Sequence, residues 1–483
     1  MKLAAALAAT AAFAALGLSA SAGGADAATL VALRAGAPAS APLALERSGA
    51  ILVVPALHVW RLPAGSSTNV LRSLRRAVSF TEKERTYTTA AVPSDPLSDT
   101  EWWRSDVRVD ALEPPGPGVP VTVVDSGVKF GHPEFLNRPN LIPLDNQEPA
   151  PIGGVHGTAV ASVVGAPVNG IGLVGIYPQA IIRSYDASLG DGTRLPSADI
   201  ANGILAAAQA GRSVINLSLG GPGHDRLIDA AVTEAVKSGS LVVAASGNSG
   251  EEGNEISYPG ANPHVLTIGA TDENDAPAPF TTRSPYVDLS APGVDIPVAS
   301  ALDDSWQPES GTSFASPMVA GAAAWLWTVR PALDASQVAE ILRMSSRDVN
   351  TAGYDDATGY GILDVQAALE APTPIRDLPE PNDDTSQATA VTSASKVAAT
   401  VSGRVIAFDD PRDVLRVFMP ARKTLSVKVT STGVGVTVAG VSRTGKSFTV
   451  SAQNGTKGRS AFLTVKPQTG VRDATYTLKI SAR

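Results

Sequence analysis

The chain has 483 residues, no cysteine and a formal net charge of −8, with only 17% charged residues. This length exceeds one small domain and predicts a large core with accessory domains. The sparse negative charge argues against nucleic acid as a partner. Without cysteine no disulfide can stabilise the chain, so core burial and bound ions such as calcium would have to do so.

Residues 1–22 start with Met1-Lys2, continue through an apolar run from Leu3 to Leu18 and end in small residues. This pattern is typical of a secretory signal peptide, cleaved after Ala22 or, alternatively, after Ala27. We therefore expect a released, extracellular protein. The apolar run is shorter than the roughly 20 residues of a membrane span, and a retained anchor is the alternative.

Residues 28–90 are predicted to form a small α/β domain of short strands and one helix. They carry eight Lys and Arg against three Glu, a charge of +5, and the residues that follow carry −13. Opposite charges favour binding of this segment to the rest of the chain. A permanent amino-terminal domain is the alternative. Apolar patterning predicts strands at Leu30–Leu33, Ala50–Val54 and His58–Leu62 and a helix over Ser67–Ala77.

In residues 91–370, apolar β-branched runs alternate with helical segments. This alternation predicts an α/β fold with a parallel sheet covered by helices on both faces. The predicted strands are Val121–Val124, Ile181–Tyr185, Val214–Leu217, Leu241–Ala245 and Val265–Ile268, and the clearest helices are Ser197–Ala210, Arg226–Lys237 and Ser313–Val329.

Ser313 stands in a turn of small residues at the start of an apolar helix. Small neighbours let a substrate approach, and the helix start directs free N–H groups and its positive dipole end at the serine. Pro317 removes a hydrogen bond only in the first turn, where the loss costs least. We therefore predict a nucleophile at Ser313. A turn or N-cap serine is the alternative.

A serine nucleophile needs a general base and an acceptor that orients the base. His156, one of five histidines, begins a glycine-rich entry into a small-residue helix. Asp125 ends a buried apolar strand, where open α/β sheets place their sites. The alternatives are a histidine cap and a turn carboxylate.

The motifs Asp125-Ser-Gly-Val, His156-Gly-Thr and Gly-Thr-Ser313-x-Ala-x-Pro resemble those of the subtilisin-like serine proteases in order and spacing, over roughly residues 94–370. The resemblance implies a secreted endopeptidase that hydrolyses proteins through an Asp-His-Ser triad and an acyl-enzyme, with no catalytic cofactor. It also implies that the segment 28–90 is a propeptide that assists folding, inhibits the cleft and is removed by self-cleavage between about Arg85 and Pro93.

The resemblance also implies further site residues. Asn248 matches the side-chain donor of the family's oxyanion hole, which the backbone N–H of Ser313 would complete; the alternative is a left-handed turn asparagine. A side pocket of small residues predicts a medium or large apolar residue before the scissile bond. The substrate-binding residues are Ser218, Leu219 and Gly220 on an edge strand, Ser188, Leu189 and Gly190 on the opposite wall, and Ala245 and Gly247 in the side pocket.

Two local features qualify the resemblance. Ala159 stands where the family's histidine motif usually has a second histidine, which the triad chemistry does not require. Asp95, flanked by prolines and followed by Trp102, resembles the mature start of the thermitase branch, where such an aspartate binds calcium. A proline-flanked turn is the alternative.

The carboxy-terminal part changes in composition. Residues 371–382 contain four prolines and predict a stiff linker. Residues 383–483 alternate with period two, as in Leu425–Val429 and Tyr476–Ile480, and predict a β-sandwich. Two acidic turns, Glu380–Asp384 and Phe408–Asp413, resemble the prepeptidase carboxy-terminal domain of secreted bacterial proteases. This implies substrate or surface binding, with calcium at those aspartates, or alternatively a stabilising or export module.

The whole sequence predicts a monomeric pre-proenzyme whose partners are protein substrates and its own propeptide, with no membrane contact after signal removal. Alternatives are a catalytically silent peptide-binding scaffold, a peptide ligase on the same triad, and an adhesion module with an incidental protease.

Overall fold

The computed structural model describes residues 28–64, 66, 69–84, 95–136, 138–144, 154–188 and 194–483. The predicted signal peptide, the predicted cleavage region and the predicted wall residues Leu189 and Gly190 lie outside these ranges. The chain forms two compact units, Met1–Ala91 and Val92–Arg483.

The first unit contains an antiparallel four-stranded sheet in the order β2-β3-β1-β4, packed around a core that includes Val31, Leu45 and Trp60. This confirms the small α/β fold. Its strands are β1 (Thr29–Leu33), β2 (Ile51–Val54), β3 (Val59–Leu62) and β4 (Val78–Lys83), and its helices are α1 (Ser40–Arg47) and α2 (Asn69–Ser73).

Three details of this unit differ from the sequence prediction. The helix predicted over Ser67–Ala77 is shorter, because the carbonyl of Leu74 accepts the N–H groups of both Ala77 and Val78 and the chain turns there. Helix α1 and strand β4 were not predicted. Strand β4 is mostly exposed, and its alternation of apolar and polar residues ends after Phe80, which is too short a pattern to identify the whole strand.

The second unit is built on a seven-stranded sheet in the order β13-β12-β10-β8-β5-β7-β6, in which every pairing is parallel. The predicted α/β architecture is confirmed. The sheet strands are β5 (Val121–Asp125), β6 (Leu141–Pro143), β7 (Ile182–Asp186), β8 (Val214–Leu217), β10 (Leu241–Ala245), β12 (Val265–Thr271) and β13 (Leu289–Pro292); the short pairs are β9 (Gly221–Pro222) with β11 (Ser257–Tyr258), and β14 (Ile296–Ser300) with β15 (Ser305–Glu309).

Helices pack on both faces of this sheet and enclose two apolar cores. On one face lie α4 (Val155–Gly165) and α7 (Thr312–Val329), both apolar around nearly their whole circumference. On the other lie α5 (Ser197–Gln209) and the amphipathic α6 (Arg226–Lys237). The remaining helices are α3 (Trp103–Asp106), α8 (Ala335–Ser345) and α9 (Val365–Glu370). Helix α8, which was not predicted, begins with a capping box between Asp334 and Gln337.

The remaining strands form the predicted all-β domain around a separate core. The longest strand, Thr424–Val438, shifts register between Thr430 and Val434. Its first half pairs with the last strand of the chain, Asp473–Ala482, and its second half pairs with the strand Arg459–Pro467. The strands are β16 (Thr389–Ala390), β17 (Ala399–Ile406), β18 (Asp413–Met419), β19 (Thr424–Val438), β20 (Val441–Gln453), β21 (Arg459–Pro467) and β22 (Asp473–Ala482).

The β domain and its linker are bound to the α/β domain by specific contacts. Arg330 Nη1 donates to the Ala371 carbonyl at 2.7 Å, so the linker lies along the domain rather than extending as a free spacer. Arg343 of α8, which is 5% exposed, contacts Asp288 Oδ1 at 2.9 Å and also pairs with Asp409 of the β domain. Within the residues described, no helix is long and apolar enough to cross a membrane.

Candidate active site

The predicted catalytic residues lie together in one cleft of about 620 Å³, although up to 188 positions of sequence separate them. Asp125 ends strand β5, and Asn248 follows strand β10 after a short turn. His156 lies in the first turn of α4 and Ser313 in the first turn of α7. Parallel strands direct their carboxyl ends to one edge of the sheet, and this edge forms the cleft.

Asp125 and His156 are in direct contact. The Asp125 carboxylate is fully buried, and its two oxygens lie 2.9 and 3.0 Å from His156 Nδ1. The carboxylate also accepts the Ser126 N–H at 2.7 Å, which fixes its orientation. With a carboxylate beside it, Nδ1 carries the proton and Nε2 is left as the basic nitrogen. The negative charge of Asp125 also raises the pKa of His156 above its ordinary value of 6.5.

Glycine at position 157 is required by the close approach of α4 to the Asp125 loop. A Cβ at Gly157 would lie 2.2 Å from the carbonyl oxygen of Gly127, which is too close for any side chain. The Gly157 N–H donates to Ser126 Oγ at 3.1 Å. The His-Gly pair therefore seats the imidazole against the carboxylate.

Ser313 is held at the start of α7 by a chain of buried hydrogen bonds. Ser218 Oγ donates to the Ser313 carbonyl at 2.8 Å and accepts from Asn216 Nδ2 at 2.9 Å, and Ser316 Oγ donates to Asn216 Oδ1 at 2.8 Å. The Ser313 hydroxyl donates to the Ser218 carbonyl at 3.3 Å. Rotation about its Cα–Cβ bond between staggered rotamers can redirect this hydroxyl.

The supporting residues Asn216 and Ser316 were missed by the sequence reasoning. A signal for Asn216 was available, because it is a polar residue inside the apolar strand β8 and is fully buried. A buried amide needs hydrogen-bond partners. Ser316 carried no comparable signal, since small residues surround it throughout the first turn of α7.

The side-chain amide of Asn248 is oriented by Thr312. Asn248 Oδ1 accepts the backbone N–H of Thr312 at 2.9 Å and its hydroxyl at 2.8 Å. These two bonds fix the amide plane and direct Nδ2 away from Thr312. The preceding Gly247 has φ of +103°, and a Cβ there would lie 2.8 Å from the Ser257 side chain. Glycine therefore permits the turn that brings Asn248 to the cleft.

Most of the predicted substrate-binding residues line the same cleft: Ser218, Leu219, Gly220, Ala245 and Gly247. Ser188, by contrast, is buried, and its hydroxyl donates to Asp186 Oδ1 at 2.6 Å. Glu255 adds one exposed carboxylate to a lining predicted to consist of small uncharged residues. Ala159, at the position of the absent second histidine, packs into the core.

Asp95 is buried beside two other carboxylates. Its oxygens accept the N–H groups of Gly170 at 2.7 Å and Asn169 at 3.0 Å. Burial raises the pKa of the neighbouring Glu101 to about 8 and that of Glu134 to about 7. Glu134 Oε1 is buried and has no hydrogen-bond partner among the described residues. An unpaired buried carboxylate oxygen could bind a hard cation such as calcium. Among the described residues, however, Asp95, Glu101 and Glu134 do not form a group whose oxygens all lie within 4.8 Å of one another.

A second acidic group lies at the base of the β domain. Carboxylate oxygens of Asp377, Glu380 and Asp410 lie within 4.8 Å of one another. Asp410 is buried, and within the described part of the chain its Oδ1 has no hydrogen-bond partner. This oxygen-only donor set also fits calcium.

Comparisons with known proteins agree with this geometry. Residues 116–361 match the Subtilase family. The chain is 34% identical over 265 residues to subtilisin DY of Bacillus licheniformis, covering 54% of this chain and 95% of that protein. It is 34% identical to subtilisin BL of Lederbergia lenta, covering 52% and 91%. A solved structure, fervidolysin from Fervidobacterium pennivorans, is described as a keratinolytic enzyme related to subtilisin. The match covers 90% of this chain and 84% of fervidolysin, with a TM-score of 0.53. Because the two sequences are only 18% identical, this match shows a likeness of fold alone.

A parallel α/β domain with an aspartate-paired histidine and a serine at a helix start defines a serine-type endopeptidase. The chain belongs to the Subtilase family. Its substrates are accordingly proteins.

Proposed function

We propose that the protein is a secreted subtilase, made as a pre-proenzyme, in which Ser313, His156, Asp125 and Asn248 carry out peptide hydrolysis. The observation that supports this most strongly is the contact of His156 Nδ1 with the buried Asp125 carboxylate, in the same cleft as Ser313. That contact leaves His156 Nε2 free to act as the base.

In the proposed first step, Ser313 Oγ attacks the scissile carbonyl carbon while His156 Nε2 takes the hydroxyl proton. The buried charge of Asp125 stabilises the imidazolium that forms. The carbonyl oxygen becomes negative and receives hydrogen bonds from Asn248 Nδ2 and the Ser313 N–H. His156 then donates this proton to the leaving amine. The C–N bond breaks, and the acyl-enzyme remains.

In the second step, water replaces the departed amine. His156 Nε2 accepts a proton from this water as its oxygen attacks the acyl carbonyl carbon. The bond from Ser313 Oγ to the acyl carbon then breaks, His156 returns the proton to Ser313 Oγ, and the carboxylic acid is released. The substrate backbone would pair with the Ser218–Gly220 edge by strand addition. The side pocket, which includes Ala245 and Gly247, would take an apolar side chain before the scissile bond.

The amino-terminal segments would serve export and maturation. Residues 1–22 have the sequence of a secretory signal, and residues 28–90 carry a charge opposite to that of the rest of the chain. The folded first unit supports an inhibitory, chaperone-like propeptide, since a separate compact domain could bind the enzyme as it folds. The same proposal includes a monomeric state. It also includes a catalytic domain at 91–370, a linker at 371–382 and an accessory domain at 383–483.

Hydrolysis can be separated from peptide ligation and from mere binding by product mass. We expect the folded enzyme to cleave a peptide of known sequence in ¹⁸O-enriched water. The new carboxyl terminus should gain the mass of labelled oxygen, because water resolves the acyl-enzyme. A product that joins two peptide pieces would indicate a ligase. Unchanged peptide that remains bound would indicate a silent scaffold.

Calcium at Asp95, and at the group of Asp377, Glu380 and Asp410, is proposed as a structural cofactor. Bound calcium would neutralise buried carboxylates and stabilise the folded state by an amount that grows with the logarithm of its concentration above Kd. Calcium performs no step of the reaction.

Removal of calcium is expected to lower the thermal midpoint of the wild-type protein by about 5 °C. Scanning calorimetry with added calcium or with a chelator measures this difference. In Asp95→Asn and Asp410→Asn the difference should shrink, because each variant loses one ligand. Asp99→Asn, at an exposed position, is the matched control. Identical midpoints with calcium and with chelator in the wild type would contradict the proposal.

A further inference from the structure

A second groove lies where the α/β domain meets the β domain. This junction groove has a volume of about 840 Å³. Tyr258 and Tyr286 line it from the α/β domain, and Phe408, Lys466 and Arg472 line it from the β domain. It is separate from the triad, and no step of the proposed hydrolysis uses it.

The junction groove is continuous with the candidate active site. The active-site cleft shares Leu219, Gly220 and Pro222 with a neighbouring cavity of about 390 Å³. That middle cavity in turn shares Tyr258 and Asn262 with the junction groove. A polypeptide that leaves the cleft along the Leu219–Pro222 segment would therefore pass Tyr258 and enter the junction groove.

The backbone at Phe408 is strained, and its aromatic ring is partly exposed. Phe408 has φ of +80°, a value unfavourable for a bulky side chain, and it is 43% exposed. Its ring lies 5.4 Å from that of Tyr286 in an edge-on arrangement, across the domain boundary. Strain of this kind persists where surrounding structure holds it, often at binding sites. The two rings offer an apolar contact for a substrate side chain.

Polar and charged groups also line the junction groove. Asn262 is 3% exposed, and its Oδ1 has no hydrogen-bond partner in the described ranges. Lys466 is exposed, and among those residues no ion pair involves it. Two cations, Lys466 and Arg472, and one carboxylate, Asp356, line the groove. The excess of positive charge favours acidic side chains in a bound polypeptide, and the aromatic rings favour apolar ones.

We propose that the junction groove is a distal substrate subsite, which binds the part of a protein substrate that lies amino-terminal to the scissile bond. This inference rests on the proposed function. The direction follows from the cleft: the Ser218–Gly220 edge begins beside Ser313, next to the pocket proposed for the residue before the scissile bond, and continues away from Ser313 toward Tyr258. The β domain thereby contributes to the choice of substrate.

Quenched fluorescent peptides with one shared cleavage sequence test this inference on the folded, processed enzyme made from the full chain. The short peptide has about four residues before the scissile bond and the long one about twelve, which spans some 25 Å more when extended. A third peptide carries the extra residues after the scissile bond. We expect kcat/KM to rise about tenfold for the amino-terminal extension only, because one buried aromatic contact contributes about that much to binding.

Phe408→Ala should remove most of this gain while leaving kcat/KM for the short peptide unchanged. Phe462→Ala, which removes a β-domain phenylalanine of similar exposure, 41%, outside the groove, should keep the gain. Lys466→Glu, at an exposed position that can change without disturbing the fold, should reverse a preference for acidic over basic extensions.

Three results would contradict the inference: no gain in the wild type, an equal gain from the carboxy-terminal extension, or a preference that Lys466→Glu leaves unchanged. Failure of the wild type to cleave even the short peptide would instead contradict the proposed function itself.

Discussion

Replacement of Ser313 by alanine is expected to reduce kcat for peptide hydrolysis by about 10⁶-fold, a magnitude taken from a subtilisin rather than derived from this structure. The proposed acyl-enzyme cannot form without the hydroxyl. The supporting bond from Ser218 Oγ reaches the Ser313 carbonyl, so it survives the substitution and the fold should be kept. Initial rates with a fluorescent peptide measure the loss.

The same variant tests self-processing. After folding with calcium, intact mass should show that the wild type loses the residues before about position 93, while Ser313→Ala keeps them. Ser310→Ala removes an exposed hydroxyl three positions away that bonds to Asp295, and it should cut itself like the wild type. Equal processing of wild type and Ser313→Ala would mean that another protease acts or that Ser313 is not the nucleophile.

Replacement of Asp125 by asparagine is expected to lower kcat by about four orders of magnitude, the loss typical of a serine protease triad without its aspartate. The asparagine keeps the shape of the buried side chain but can present an N–H to His156 Nδ1, which favours the wrong tautomer. The charge that stabilises the imidazolium is also lost. Steady-state kinetics should show a fall in kcat with little change in KM, because Asp125 contacts the base rather than the substrate.

The pH profile of this variant should move as well. His156 must be neutral to accept a proton, so activity is lost as pH falls through its pKa. Asp125 raises that pKa above 6.5; in Asp125→Asn the acid limb of kcat/KM should therefore shift to lower pH. Glu309→Gln removes a more distant negative charge that also raises the pKa of His156, and it should cause a smaller shift with near-normal kcat. An unchanged acid limb in Asp125→Asn would contradict the proposed pairing.

The strands and helices of the α/β domain were predictable because burial on both faces makes their sequences distinctive. Strands Val214–Leu217 and Leu241–Ala245 were predicted with the bounds that the structure shows. Helix Arg226–Lys237 was also predicted correctly, since its apolar residues recur with helical spacing. Strand β4 of the first unit was missed because it is mostly exposed and its apolar alternation stops after Phe80.

The gathering of Asp125, His156, Asn248 and Ser313 in one cleft could be predicted, because their motifs stand at strand ends and helix starts. The contacts that hold them in place could not. The bonds from Thr312 to Asn248 Oδ1 and from Ser316 to Asn216 join residues 64 and 100 positions apart, and no local pattern encodes such a pairing. The junction groove depends likewise on how two domains meet, which neither domain's sequence records.

Arg343 makes the carboxy-terminal domain part of the enzyme rather than a detachable module. Its buried guanidinium is shared between Asp288 of the α/β domain and Asp409 of the β domain. Truncation after the linker would remove Asp409 and uncover a charge that now lies in the interior. A shortened enzyme would therefore differ from the natural one in its own packing, and the two domains should melt together as one cooperative body.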